Sequence, residues 1–272
     1  MSQAPDHSAP RPELWHWPNI LSIDAAGIAL AWLWAFAHAF DSTLHAGAYL
    51  VLGASAWLVY AADRLLDVAP RKSEQLLSHR HRFAKAHARP LWLLWAIVLL
   101  ADIALAFTTL STYQLRHGFV LLGAAILYTL LNQKLSKRCF PKEICVALIY
   151  AGGVIVFLNG HLPWLPALSF ALLCFLNCAL IGIKEQSIDR ALEVDSLARH
   201  LTGNKLWLGF GLTALSLPLV PAPLNWGIGS SLALLALVQL RHARLQIETF
   251  RVLADAALFA GPLLLVLAYS RH

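Results

Sequence analysis

The chain is cut into apolar blocks of about 20 residues with almost no charge inside them, and this spacing leaves few folds open to it. A helix needs about 20 residues to cross the roughly 30 Å of bilayer hydrocarbon. The blocks fall near 20–40, 44–62, 90–110, 117–133, 144–159, 163–183, 204–221, 225–240 and 252–270. A helix at the surface of a soluble domain has a polar back, whereas these runs are apolar all round. Composition agrees: 58% of the 272 residues are hydrophobic and 13% are charged. Soluble domains run to about 45–50% and about 25%. The expectation is an all-α polytopic membrane protein, a bundle of nine transmembrane helices over residues 20–272, after a polar, proline-containing segment 1–19. That segment has no basic start and no small-residue cleavage site, so a removable signal peptide is not expected. Pro90, Pro163 and Pro221 fall at or near span ends, where a missing N–H is tolerated.

Lysine and arginine placement orients the bundle. Arg64, Arg71, Lys72, Arg80, Arg82, Lys85 and Arg89 lie between spans two and three. Lys134, Lys137, Arg138 and Lys142 lie between four and five, and Lys184, Arg190, Arg199 and Lys205 between six and seven. Arg241, Arg244 and Arg251 lie between eight and nine. With Arg11, all share one face if the spans alternate; only Arg116 and Arg271 are left for the other. The expected topology has a cytoplasmic N-terminus and an outer C-terminus. This bias also accounts for most of the net charge of +6, which therefore gives no reason to invoke nucleic acid.

The acidic residues gather on the same basic face. Asp63 and Asp67 close span two in "VYAADRLLDVAP", and "GIKEQSIDRALEVDS" after span six carries Glu185, Asp189 and Glu193 at four-residue spacing. Residues four apart stack on one face of a helix, where like charges repel by a few tenths of a kcal/mol per pair. One reading is a pair of solvated helix ends. The other is an ion-binding mouth, with carboxylates answered by a hard cation such as Mg²⁺, which takes oxygen ligands together with substrate phosphates. The arginines and lysines around both clusters favour the second. Carboxylates for metal beside cations for phosphate suit the ionisation of a diphosphate.

In these two clusters the chain resembles the UbiA superfamily of intramembrane prenyltransferases. "YAADRLLD" is similar to the second half of that family's N-D-x-x-D-x-x-x-D after helix two. "EQSIDRALE" is similar to its Y-x-x-x-D-x-x-x-D after helix six, and "YTLLNQKLSKR" looks like its basic loop after helix four. The resemblance covers residues 20–270 in topology but only these motifs in sequence. It implies nine helices and Mg²⁺-dependent transfer of a prenyl group from a prenyl diphosphate to a lipophilic, commonly aromatic acceptor. Asp63, Asp67, Glu185, Asp189 and Glu193 become the expected metal ligands, and Asp63, Asp67, Asp189 and Glu193 the catalytic set. Arg64, Arg80, Arg82, Lys134, Lys137, Lys184 and Arg190 become the expected diphosphate contacts. Val59 and Tyr60 stand where the family has asparagine and aspartate, Glu185 where it has tyrosine, and Glu193 where it has aspartate. The expected setting is a bacterial inner membrane, with the mouth on the cytoplasmic side. A terpene cyclase of the same superfamily and a non-catalytic ion- or lipid-binding membrane protein are the alternatives. A transporter would call for a chain of intramembrane carboxylates rather than paired ones at one mouth.

Other residues carry less. Cys139, Cys145, Cys174 and Cys178 lack zinc spacing and read as packing residues, and His79, His81 and His87 offer no zinc geometry. Asp24 reads as interfacial, Asp255 as a partner of Arg251 four residues before it, and Asp102 as a deep carboxylate without an evident partner. Most tryptophans sit at span ends as an aromatic belt. Trp32, Trp34 and Trp57 either pack or line an isoprenoid chamber. Gly152, Gly153 and Gly211 are expected to allow close helix approach.

Overall fold

The computed structural model describes residues 12–135, 141–158, 163–191, 197–201 and 203–270. Among these it is helical, without strands. A short helix α1 (Trp17–Ile20) leads into α2 (Ile23–Ala39) and α3 (Ala46–Val68); then come a small amphipathic α4 (His79–Ala86), α5 (Ala88–Thr109) and α6 (Thr112–Leu135). The second half comprises α7 (Lys142–Ile155), α8 (Trp164–Lys184), a short α9 (Gln186–Ala191), α10 (Asn204–Ser216), α11 (Leu224–Leu240) and α12 (Ile247–Tyr269). Each of the nine apolar blocks thus holds one helix, of 13 to 24 residues. By length and composition α3, α5, α6, α8 and α12 are able to cross a membrane, and a sixth crossing follows if the bent pair Leu14–Ile20 and Ile23–Ala39 counts as one span. The chain is an integral membrane protein. At 14 and 13 residues, α7 and α10 fall short of a bilayer's thickness by length alone.

Local chemistry sets the breaks. Ser22 adopts φ 60°, a left-handed conformation costly for a residue with a Cβ, and here the chain turns by 78° between α1 and α2. Pro141, Pro163 and Pro223 cap the starts of α7, α8 and α11, where the proline ring fits and no N–H is required. Ser78 caps α4 by accepting from the His81 N–H.

Burial differs sharply among the helices. Two thirds of the most apolar window of α8 (67%) is buried inside the protein, but only 6% of that of α5. Phe170, Leu173, Leu176 and Leu180 place α8 at the centre, against Trp32 and Phe36 of α2. Trp32 is fully buried, packs with its ring 4.6 Å from that of Phe170 and donates its indole N–H to Leu258 O at 2.9 Å, so it is a core residue rather than a chamber wall. By contrast α5 packs mainly on α3, and α6 on α7, leaving Leu93, Leu100, Phe119, Val120 and Leu127 exposed to the hydrocarbon side.

The tightest approach is between α11 and α12. A Cβ on Gly261 would strike the Gly227 carbonyl oxygen and lie 2.8 Å from the Trp32 ring. Gly211, expected to serve such a contact, faces open space. Gly261→Ala is therefore expected to force the two helices apart and lower stability by about 1–3 kcal/mol. Thermal unfolding in detergent, followed by tryptophan fluorescence, reads this; an unchanged midpoint would contradict the close packing.

Candidate active site

Helices α1–α4, α6–α9 and α12 all contribute side chains to one cavity of about 230 Å³. Its direction can be read along the helices. From α3 come Asp67, Asp63 and then Tyr60; from α12, Arg251, Asp255 and Leu258. From α7 come Lys142, Val146 and Tyr150, and from α8 with its C-cap Glu185, then Ile181, Cys178 and Cys174. Steps of three or four residues are about one helical turn, roughly 5.4 Å. The cavity therefore runs along the helix axes, charged at its outer end and lined further in by Tyr60, Tyr150 and Leu258 around the polar pair Asn177 and Asp255. Helices α3 and α8 end at the charged mouth, while α2, α7 and α12 begin there.

The two sequence clusters meet here although 126 residues separate Asp63 from Asp189. Glu185 is the hub of the outer layer. Its Oε1 accepts from Arg251 Nε at 2.6 Å and from Arg251 Nη2, and its Oε2 accepts from Arg80 Nη2 at 2.9 Å. Arg251 also donates to Glu248 at 2.8 Å and to Asn19 Oδ1 at 3.2 Å. Burial alone would raise the Glu185 carboxyl, but Arg251 and Arg80 outweigh it and hold it below the ordinary glutamate range. Asp189 differs. Burial raises its carboxyl above the ordinary range, and Lys142 Nζ, at 3.4 Å, only partly offsets that. His81, buried among arginines, is pushed well below the usual histidine range by burial and then by Arg80. It stays neutral at pH 7, its Nδ1 2.7 Å from Ser78 Oγ.

Of the expected site residues, Asp63, Arg64, Asp67, Arg80, Glu185 and Asp189 line the cavity. Arg64 donates to Asn19 O at 2.9 Å and Ile20 O at 2.7 Å, tying α3 to the break before α2. Glu193 and Lys137 lie outside the described residues. The other four are not on the cavity wall. Lys134, Arg82 and Arg190 are exposed. Arg82 donates to Leu76 O, and Lys184 donates to His242 O at 2.7 Å with its ammonium above the Phe250 ring. The reason is helical geometry. Arg82 follows Arg80 by two residues, while Lys184 and Arg190 adjoin Glu185 and Asp189, so they point about 100–200° away around a helix of 3.6 residues per turn.

Sequence reasoning missed Asn19, Asn132, Lys142, Glu143 and Asn177, all of which line the cavity. It misread Asp255: the carboxylate accepts from Asn19 and Asn177, at 2.9 and 3.0 Å, while Arg251 reaches outward to Glu185. A polar residue inside an apolar block, such as Asn177, was the available signal. Asp102 has a partner after all, Ser55 Oγ at 2.8 Å on α3, and lies off the cavity.

Among the described residues no three His, Cys, Asp or Glu side chains form a group able to hold a metal ion by themselves. Of the four expected carboxylates that are described, Glu185 has both oxygens held by arginines and Asp189 has Lys142 beside it. Yet Asp63 Oδ1 is buried without a hydrogen-bond partner, and Asp67 lines the wall one turn outward. Mg²⁺ commonly binds through one or two carboxylates, keeping waters and taking substrate phosphates for the rest. The Asp63–Asp67 pair fits that mode.

The backbone trace settles the architecture. It superposes on a solved structure, the apo structure of a UbiA homolog from Aeropyrum pernix K1, with a TM-score of 0.64 over 90% of this chain and 98% of that one. The chain has the UbiA fold. Identity over the match is 15%. No family model matches the sequence, and no curated protein does. The UbiA fold therefore persists here with little shared sequence, and it gathers both acidic clusters at one mouth.

Proposed function

We propose that the chain is a member of the UbiA superfamily that transfers a prenyl group from a prenyl diphosphate to a lipophilic, commonly aromatic acceptor inside the membrane. The observation that carries this reading is the single cavity in which Asp63 and Asp67 of α3 face Glu185, Asp189 and Lys142, with Tyr60 and Tyr150 further in. In this reading the nine helices of the apolar blocks all belong to the membrane domain, and the N-terminus and the mouth are cytoplasmic. The lysine and arginine bias supports that orientation, and a bacterial inner membrane is the setting.

The diphosphate enters headgroup-first. Lys142, held only loosely by Asp189, swings its ammonium onto a phosphate oxygen, and Arg80, pinned by Glu185, keeps a buried and unpartnered Nε for another. Asp63 and Asp67 would hold Mg²⁺, which supplies positive charge to the departing diphosphate. Once in place on the bound diphosphate, these charges stabilise the leaving group as the C–O bond breaks. The allylic carbon then lies inward among Tyr60 and Tyr150, whose rings stand 6.3 Å apart. Aromatic faces stabilise positive charge there.

The test is incubation of the purified protein with allylic diphosphates of increasing length, with and without Mg²⁺ and aromatic acceptors. Mg²⁺-dependent diphosphate release with a prenylated product is expected. No release with any of them would overturn the reading, and a cyclic hydrocarbon formed without acceptor would replace transfer by internal cyclisation.

A further inference from the structure

Inward of the charged mouth lies a second polar cluster that the diphosphate chemistry does not use. Asn19 Nδ2 donates to Asp24 Oδ2 at 2.6 Å and to Asp255 Oδ2 at 2.9 Å, so one amide spans two carboxylates. Asn177 Nδ2 donates to Asp255 Oδ1 at 3.0 Å, and Ala25 N donates to Asp24 Oδ1 at 2.9 Å. Asn177 is 94% buried and lines the cavity, and with its amide nitrogen turned to Asp255 its Oδ1 has no hydrogen-bond partner. Several of the donors beside this cluster are already committed. Tyr150 donates its hydroxyl to Ala25 O at 2.6 Å, Arg251 Nη1 faces Asn19 Oδ1, and Arg64 Nη1 serves backbone carbonyls.

Acceptors outnumber donors in this corner: the lone Asn177 Oδ1 and the spare lone pairs of two carboxylates, each oxygen of which accepts about two hydrogen bonds, stand against the Tyr60 hydroxyl. A buried acceptor left unpaired costs about 1–3 kcal/mol, so the corner favours an occupant that brings a donor. It also disfavours a carboxylate, which would be placed against Asp24 and Asp255 where little water screens the repulsion. Tyr60 and Tyr150 line the cavity beside it, their rings edge to face with planes at 82°.

We propose that Asn19, Asp24, Asn177 and Asp255 form a subsite for a neutral, hydrogen-bond-donating group, a hydroxyl or an N–H, on an aromatic molecule, and that they reject the corresponding aromatic acid. Calling the occupant the prenyl acceptor rests on the transferase reading. The recognition chemistry does not.

Three radiolabelled naphthalenes of matched shape test it on the purified full-length protein, with binding to protein-free micelles subtracted. 2-Naphthol carries a donor, 2-methoxynaphthalene lacks it, and 2-naphthoate carries a charge. 2-Naphthol is expected to bind at least about tenfold more tightly than either of the others, because a site built around a hydroxyl rejects the analogue without one. Asn177→Leu is expected to erase most of the preference over the methyl ether, and Asp255→Asn to admit 2-naphthoate. Equal affinities for naphthol and its ether in the unaltered protein, or an undiminished preference in Asn177→Leu, would overturn the assignment. The first comparison needs no variant to fold. These titrations involve no turnover, so the subsite stands or falls on them, while the transferase reading stands or falls on diphosphate release.

Discussion

Replacing Glu185 by alanine is expected to lower folding stability by about 3–5 kcal/mol, the usual consequence of leaving buried charges without their partner. Two guanidiniums depend on this carboxylate. Arg251 is only 1% exposed and gives it two hydrogen bonds, and Arg80 gives it another. Equilibrium unfolding in mixed micelles measures the loss, and a change below about 1 kcal/mol would show that the hub is dispensable. The pH dependence has a definite sign. The Glu185 carboxyl titrates below the ordinary 4.5 in the folded protein. Its contribution is complete above that ordinary value and is lost as pH falls through the depressed one, because the unfolded chain then binds the proton first. Glu185→Gln should remove this acid-side share of the stability profile while nearly preserving shape.

Asp63→Asn is expected to do the reverse, lowering Mg²⁺-dependent diphosphate release by at least about 100-fold, the scale of losing one preorganised electrostatic group, without lowering the unfolding midpoint. Asp63 Oδ1 is buried with no hydrogen bond, so the native residue is an electrostatic liability to the fold. Catalytic residues held this way often destabilise the structure that carries them. Release assays paired with thermal unfolding check both halves. Retained release would remove Asp63 from the site, and a collapsed midpoint would make it a structural residue.

The span pattern was legible because each apolar block is long enough to declare itself without context. The two acidic clusters were legible for a similar reason: carboxylates at four-residue spacing on the lip of an apolar run need an explanation from local chemistry alone. What sequence did not specify was rotation about each helix. Arg80 and Arg82 look equivalent in "HRHRF", yet one reaches Glu185 and the other turns back to Leu76 O. Lys142 was counted as one more topogenic charge, and nothing local tells that it ends beside Asp189. Asn19 was hidden most deeply. It belongs to the polar N-terminal segment 1–19, and the turn at Ser22 brings it between Asp24 and Asp255.

The contrast between α5 and α8 bears on what substitutions each helix tolerates. A residue of α8 answers to shape, since most neighbours are fixed side chains and a methylene too many or too few is felt. A residue of α5 answers mainly to solvent, since its neighbours are lipid chains that reshape around whatever apolar group is offered. Leucine, isoleucine, valine and phenylalanine are then nearly interchangeable along most of α5, while in α8 each names one position. A fold built this way can drift over much of its outer surface while its centre and its mouth stay in register.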